Sequence, residues 1–164
     1  MVKILFVCHG NICRSPMAEF VFIEMVRKRN RAYPIQAASA ATSTEEIGRD
    51  IHPGTKSVLR MHGISFSKRA ARQMAKEDYR TYDWLIGMDR TNLNAMQRIA
   101  QGDPEGKMRL LLSFAGEMRE VADPWYTGDF ETTYRDVTKG CAALLDWLVD
   151  LDACKGRVSD EKTG

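Results

Sequence analysis

The apolar run Ile4-Leu5-Phe6 passes without a break into Val7-Cys8-His9-Gly10-Asn11-Ile12-Cys13-Arg14-Ser15-Pro16, and that junction constrains the fold more than any other stretch. A buried strand that turns straight into a helix opens a βα unit, the building block of parallel sheets covered by helices. Ser15 is expected as the N-cap and Pro16 as the first helical residue, with Ala18, Phe20, Val21 and Met25 forming an apolar stripe to about Arg29. Short apolar runs at Lys3–Val7, Ile35–Ala38, Trp84–Met88 and Met108–Leu112 predict four strands. Helical patterns fall near Pro53–Gly63, after a cap at Ser67, at Ala75–Tyr82, at Asn92–Ile99 and at Phe130–Leu151. Ser113–Gly128 reads as a loop and Lys155–Gly164 as a frayed polar tail. The expectation is a single-domain α/β fold over residues 1–154 with a tail at 155–164, its parallel sheet doubly wound and carrying helices on both faces.

The same junction carries chemistry. A helix N-terminus presents unpaired N–H groups and the positive end of the peptide dipole, so a loop leading into one suits an anion. That field also favours a thiolate over a thiol, and the thiolate is the nucleophile. Arg14 can fork onto two oxygens of a phosphate, and the Ser15 hydroxyl can donate to the Cys8 sulfur. Ligands of doubly wound sheets sit beyond the carboxyl ends of the strands, which is where Cys8 falls. Cys8-x5-Arg14-Ser15 therefore reads as a phosphate pocket with a nucleophile at its floor, formed by the backbone of His9, Gly10, Asn11, Ile12 and Cys13. Asn11 tolerates a left-handed turn within it. A plainer reading makes Cys8 and Cys13 packed thiols. No second Cys or His pair stands at zinc spacing, and the glycine–lysine ending of a Walker loop is missing.

Composition excludes other classes. With 24 Lys and Arg against 22 Asp and Glu, the net charge of +2 gives no footprint for nucleic acid. No apolar run is long enough for a membrane span. Four cysteines without a secretory signal point to reduced thiols and a cytoplasmic protein. No metal or organic cofactor is expected, since Arg14 and the loop amides supply the positive field, and the protein is expected as a monomer or weak dimer.

From Val2 to about Leu148 the chain resembles the low-molecular-weight protein tyrosine phosphatases, through the Cys8–Ser15 loop and the distant Asp123-Pro124-Trp125-Tyr126 motif. The resemblance implies a sheet in order 2-1-3-4 and hydrolysis of phosphotyrosine in protein substrates through a phosphocysteine on Cys8. It implies Asp123 as the acid that protonates the leaving phenolate and as the base that later activates water, help worth about 10²–10⁴-fold. Without it, Asp-Pro is an ordinary loop feature. It also implies that Asn11, Ser39 and His62 support the loop by hydrogen bonds. A reversible Cys8–Cys13 disulfide is implied as well, with a packed thiol at Cys13 as the alternative. Trp125 and Tyr126 either wall the entrance for a phenyl ring or fill the core.

Three positions depart from the family pattern. His9 replaces an aliphatic residue, Glu45 stands where relatives often carry an aromatic that flanks the substrate, and Ala38 replaces a common aspartate. An acid at Glu45 is expected to favour basic peptides. His52 has no evident task. Two rivals share the scaffold. Arginine phosphatases carry Thr where Ile12 stands, and Ile12 suits a flat phenyl ring better. Thiol-linked arsenate reductases need further cysteines near strand three, where this chain has Leu85, Ile86 and Gly87. A module that only captures phosphate would not need both Cys8 and Asp123.

Overall fold

The computed structural model describes residues 1–29 and 34–161. Strand β1 (Val2–Cys8) is the first element and the centre of the sheet. Its residues Ile4 to Val7 are wholly buried, as a parallel strand covered on both faces must be. Helix α1 (Arg14–Arg29) leads to β2 (Ile35–Ala41), and α2 (Pro53–Met61) and the short α3 (Asp78–Thr81) lead to β3 (Trp84–Gly87). After α4 (Arg90–Ala100) and β4 (Met108–Leu110) come a 3₁₀ turn (Leu111–Ala115), the short α5 (Pro124–Thr127) and α6 (Phe130–Glu161). All strand pairs are parallel and the order is β2-β1-β3-β4, as the sequence led us to expect.

The period-two alternation of β1 divides the core. Ile4 and Phe6 face α1, α2 and α6, where they meet Met17, Phe22, Leu59, Val137 and Leu144. Leu5 and Val7 face the other way, toward Met96 of α4 and Tyr79 of α3. Each of these large side chains contributes about 1.5–3 kcal/mol through burial. Arg109 lies over the rings of Trp84 and Trp147 and closes one margin of the sheet. No helix among the described residues is long and apolar enough to cross a membrane.

Several boundaries differ from expectation. Helix α1 starts at Arg14, so Ser15 lies inside its first turn and is not the N-cap. Strand β2 runs on to Ala41 because Ala38–Ala41 pair with Leu5–Cys8. The expected helix after Ser67 is absent. Residues 69–74 instead form an extended strap whose Ala71 and Met74 N–H groups donate to Arg49 O and Ala41 O, in place of helical bonds. The strand expected to reach Leu112 stops at Leu110, where the 3₁₀ turn begins. Helix α6 continues past the expected end at Leu151 into the stretch read as tail, whose last residues, 162–164, lie outside those described.

Candidate active site

The loop between β1 and α1 has its carbonyls turned outward. Cys8 O accepts from Thr42 N (2.9 Å), His9 O from Ser43 N (3.0 Å), Ile12 O from His52 N (2.9 Å), and Cys13 O from the Thr55 hydroxyl (3.3 Å). Asn11 O accepts from the Arg69 guanidinium. Among the described residues, the backbone N–H groups of His9 through Cys13 have no protein acceptor. Carbonyls held outward and N–H groups left inward make an anion-binding concavity at the start of α1.

Asn11 makes the curl possible. Its φ is 59°, the left-handed region that a non-glycine residue occupies at a cost. The side chain is 1% exposed and saturated with bonds. Nδ2 donates to Ser15 Oγ (2.8 Å) and Ser39 Oγ (2.9 Å), while Oδ1 accepts from Arg72 N (3.2 Å).

Cys8 Sγ lies 3.0 Å from Ser15 Oγ and accepts from Ser15 N at 3.4 Å, so the serine hydroxyl and the first turn of α1 both address the sulfur. Arg14 is almost fully buried. Its Nη1 donates to Asp89 Oδ2 (2.7 Å) and Val121 O (3.0 Å), and Nη2 donates to Asp123 Oδ2 (3.3 Å). Burial opposes the guanidinium charge, but the Cys8 thiolate, Asp89 and Asp123 outweigh it and hold the group above the usual arginine range. Asp123 is the N-cap of α5, its Oδ1 accepting from Trp125 N (3.0 Å). Cys13 differs from Cys8 in kind. Burial first, then the negative charges of Cys8 and Asp123, push its thiol up to about 12. All four cysteines are free thiols.

Cys8, Cys13, Arg14 and Asp123 line one cleft, together with His9, Gly10, Ile12, Glu45, Glu46, Trp125 and Tyr126. Trp125 and Tyr126 are 54% and 83% exposed, so they stand at the mouth and do not fill core. Opposite them, His9 Nε2 and Glu45 Oε2 meet at 3.0 Å, and Glu46 lies 3.0 Å from Arg49. The cleft thus has an aromatic wall and an ionic wall.

Of the supporting residues anticipated from sequence, Ser39 is in place beneath Asn11, with its hydroxyl also donating to Glu19 (3.0 Å). His62 is not. It is the C-cap of α2, at the opposite end of that helix from His52 and Thr55, which bond the loop. There it bonds Glu131 (2.8 Å) and stacks on Tyr134. Arg69 from the extended strap reaches the loop instead, and burial lowers its pKa despite Glu19, Cys8 and Asp50 nearby. Asp89 and Arg69 escaped the sequence reading. Asp89 looks like a routine helix cap and is one, in a capping box with Asn92.

The family model for low molecular weight phosphotyrosine protein phosphatase matches residues 3–154. The chain is 38% identical to the low molecular weight protein-tyrosine-phosphatase YfkJ of Bacillus subtilis, over 88% of this chain and 94% of that protein. The crystal structure of YfkJ superposes with a TM-score of 0.87, covering 92% of this chain and 96% of that one at 37% identity. The human low molecular weight phosphotyrosine protein phosphatase is 39% identical over 88% of this chain and 94% of its own length. The structure of DARP, a Drosophila arginine phosphatase, is similar at 27% identity with a TM-score of 0.81, over 90% of this chain and 98% of that one.

Proposed function

Because the chain belongs to the low molecular weight phosphotyrosine protein phosphatase family, we propose that it hydrolyses phosphotyrosine in protein substrates through a phosphocysteine on Cys8. The observation that carries this reading is the loop with its N–H groups turned inward around a sulfur, facing a carboxyl group at Asp123 in the same cleft. The phosphoryl oxygens lie against those N–H groups and Arg14, which act where charge redistributes. Cys8 Sγ attacks phosphorus as the phosphorus–phenolate bond breaks, and Asp123 gives its proton to the leaving oxygen. Asp123, now a carboxylate, takes a proton from water while the water oxygen bonds phosphorus and the phosphorus–sulfur bond breaks. Inorganic phosphate leaves and the Cys8 thiolate is restored. The Ser15 hydroxyl supports the sulfur as it takes back its charge in the second step.

Ile12, Trp125 and Tyr126 suit the flat ring of tyrosine, and Asn11 and Ser39 keep the loop in shape. The catalytic domain is assigned to residues 1–154, leaving 155–164 outside it. The protein acts in the cytoplasm as a monomer or weak dimer, on protein substrates and not on nucleic acid. The test is phosphate release from phosphotyrosine and phosphoarginine peptides in parallel, with metals chelated and Cys8→Ser as the blank. Release from phosphotyrosine, lost in the blank, is expected. Preferential release from phosphoarginine would keep Cys8 and Arg14 but overturn the substrate, and activity surviving in Cys8→Ser would move the nucleophile.

A further inference from the structure

We propose that His52 is a positioning residue for the aromatic wall of the cleft, fixing Trp125 against the phosphate loop; the proposal rests on the aryl-phosphate reading above. His52 does not line the cleft. It sits between the two parts that do. Its backbone N–H donates to Ile12 O (2.9 Å), which joins it to the loop. Its ring presents an edge-on contact to Trp125, with centroids 5.8 Å apart and planes at 81°. The other face lies on Phe130, at 5.0 Å and 21°. Phe130 in turn packs on the apolar cluster of Ile12, Cys13 and Ala71. Loop, Phe130, His52 and Trp125 therefore form a continuous stack, and it ends at the wall where the substrate ring is received.

Two details indicate that this stack is built in. A Cβ at Gly54 would lie 2.5 Å from the Phe130 ring, so the ring occupies space that only glycine leaves at the start of α2. Trp125 is more than half exposed, so no surrounding core fixes its ring, and a neighbouring ring must. The position matters chemically because Trp125 N is also the donor that orients the Asp123 carboxyl group.

His52 has a second, structural task, and the two tasks are separable. Nδ1 accepts from Gly54 N at 3.0 Å and so caps α2. Asparagine keeps a capping acceptor but removes the ring. Phenylalanine keeps the ring but removes the acceptor. His52→Asn is therefore expected to melt near the parent temperature and yet lose its grip on aryl ligands. The inhibition constant of phenylphosphonate and the KM for an aryl phosphate should each rise roughly two- to tenfold, the range that one aromatic contact is worth. The inhibition constant of inorganic phosphate, which has no ring for Trp125 to receive, should stay put. His52→Phe is expected to melt several degrees lower while keeping the parent ratio of the two inhibition constants. Phe130→Leu removes the ring behind His52 without touching the cap, and should reproduce the asparagine variant's ratio.

A residue that merely stabilised the fold would move both inhibitors together, or would track melting temperature across the three variants. Either pattern overturns the proposal, as does an unchanged ratio in His52→Asn. Failure of the underlying reading looks different: the parent protein would bind inorganic phosphate but release none from aryl phosphates.

Discussion

Replacing Asn11 tests the account of the phosphate loop most sharply, because two substitutions separate its side-chain bonds from its backbone strain. The side chain makes three hydrogen bonds within the buried loop, to Ser15, Ser39 and Arg72. They are not equal in consequence. Without Asn11, Ser15 keeps its contact with Cys8 and Ser39 keeps Glu19, so those hydroxyls retain partners. Arg72 N–H keeps no other acceptor among the described residues, and as a half-buried donor it loses a bond worth about 1 kcal/mol. Asn11→Gly should therefore destabilise by about 1 kcal/mol, the lost Arg72 bond dominating. Asn11→Ala suffers the same loss and must also hold φ at 59°, which adds about 1 kcal/mol. Urea unfolding of the three proteins, with midpoint and slope both fitted, reads these differences. Inorganic phosphate should bind both variants more weakly, since the N–H groups are no longer held inward. The reasoning is refuted if glycine and alanine variants unfold within a few tenths of a kcal/mol of each other, or if neither loses stability.

Asp123→Ala should slow phosphate esters with poor leaving groups far more than those with good ones; equal slowing in a leaving-group series removes the acid role. Glu45→Ala should weaken the preference for basic over acidic phosphotyrosine peptides without lowering stability, because its pair with His9 is exposed and worth little; an unchanged peptide preference counts against it. The Lys56 hydrogen bond, helped by Ile51 and Arg69 N–H groups, holds Asp50 down at about 2. A depressed carboxylate stabilises the fold above its unfolded value of about 3.9 and loses that contribution as pH falls toward 2. Asp50→Asn should flatten acid unfolding in that window, as followed by circular dichroism, and a parallel curve for the variant would dismiss the assignment. Asp89→Asn keeps an acceptor for Arg14 but removes a competing charge, so inorganic phosphate should bind more tightly, whereas Asp89→Ala frees the guanidinium and should weaken it; the same direction in both variants would contradict this.

What could be read from the sequence was what neighbouring residues decide together. Ile4–Val7 followed by Cys8–Pro16 fixes a strand, a curl and a helix within one short segment, and the structure has all three. The four strands and the two-faced core follow from apolar runs of the right length, whereas the sheet order came from the resemblance to a family. Contacts made across the chain left no such signal. Ser39, Ala40 and Ala41 have no strand character of their own and are drawn into β2 by pairing with β1. The strap at residues 69–74 contains helix formers, but Arg69, Ala71, Arg72 and Met74 give their N–H groups to partners distant in sequence. His62 and Arg69 both follow α2, and only the path of the chain decides which returns to Asn11. His52 looked idle because its partners, Trp125 and Phe130, are remote in sequence.

Arg14 shows why the remote partners matter most. A guanidinium can bind a phosphate in bidentate fashion through its two terminal nitrogens or through the edge formed by Nε and one of them. Nη1 is already committed to Asp89 and to the Val121 carbonyl, two partners on different segments that together fix the plane of the group. That leaves the Nε–Nη2 edge for phosphate, and Nη2 is the nitrogen that meets Asp123, at the longer distance of 3.3 Å. An arriving phosphate therefore competes with Asp123 and leaves the shorter Asp89 bond intact. On the proposed mechanism, its binding would engage a guanidinium whose plane is preset and free the Asp123 carboxyl group for the leaving oxygen. Under that mechanism the reverse order of the two contacts would hold the acid back and let the arginine turn away.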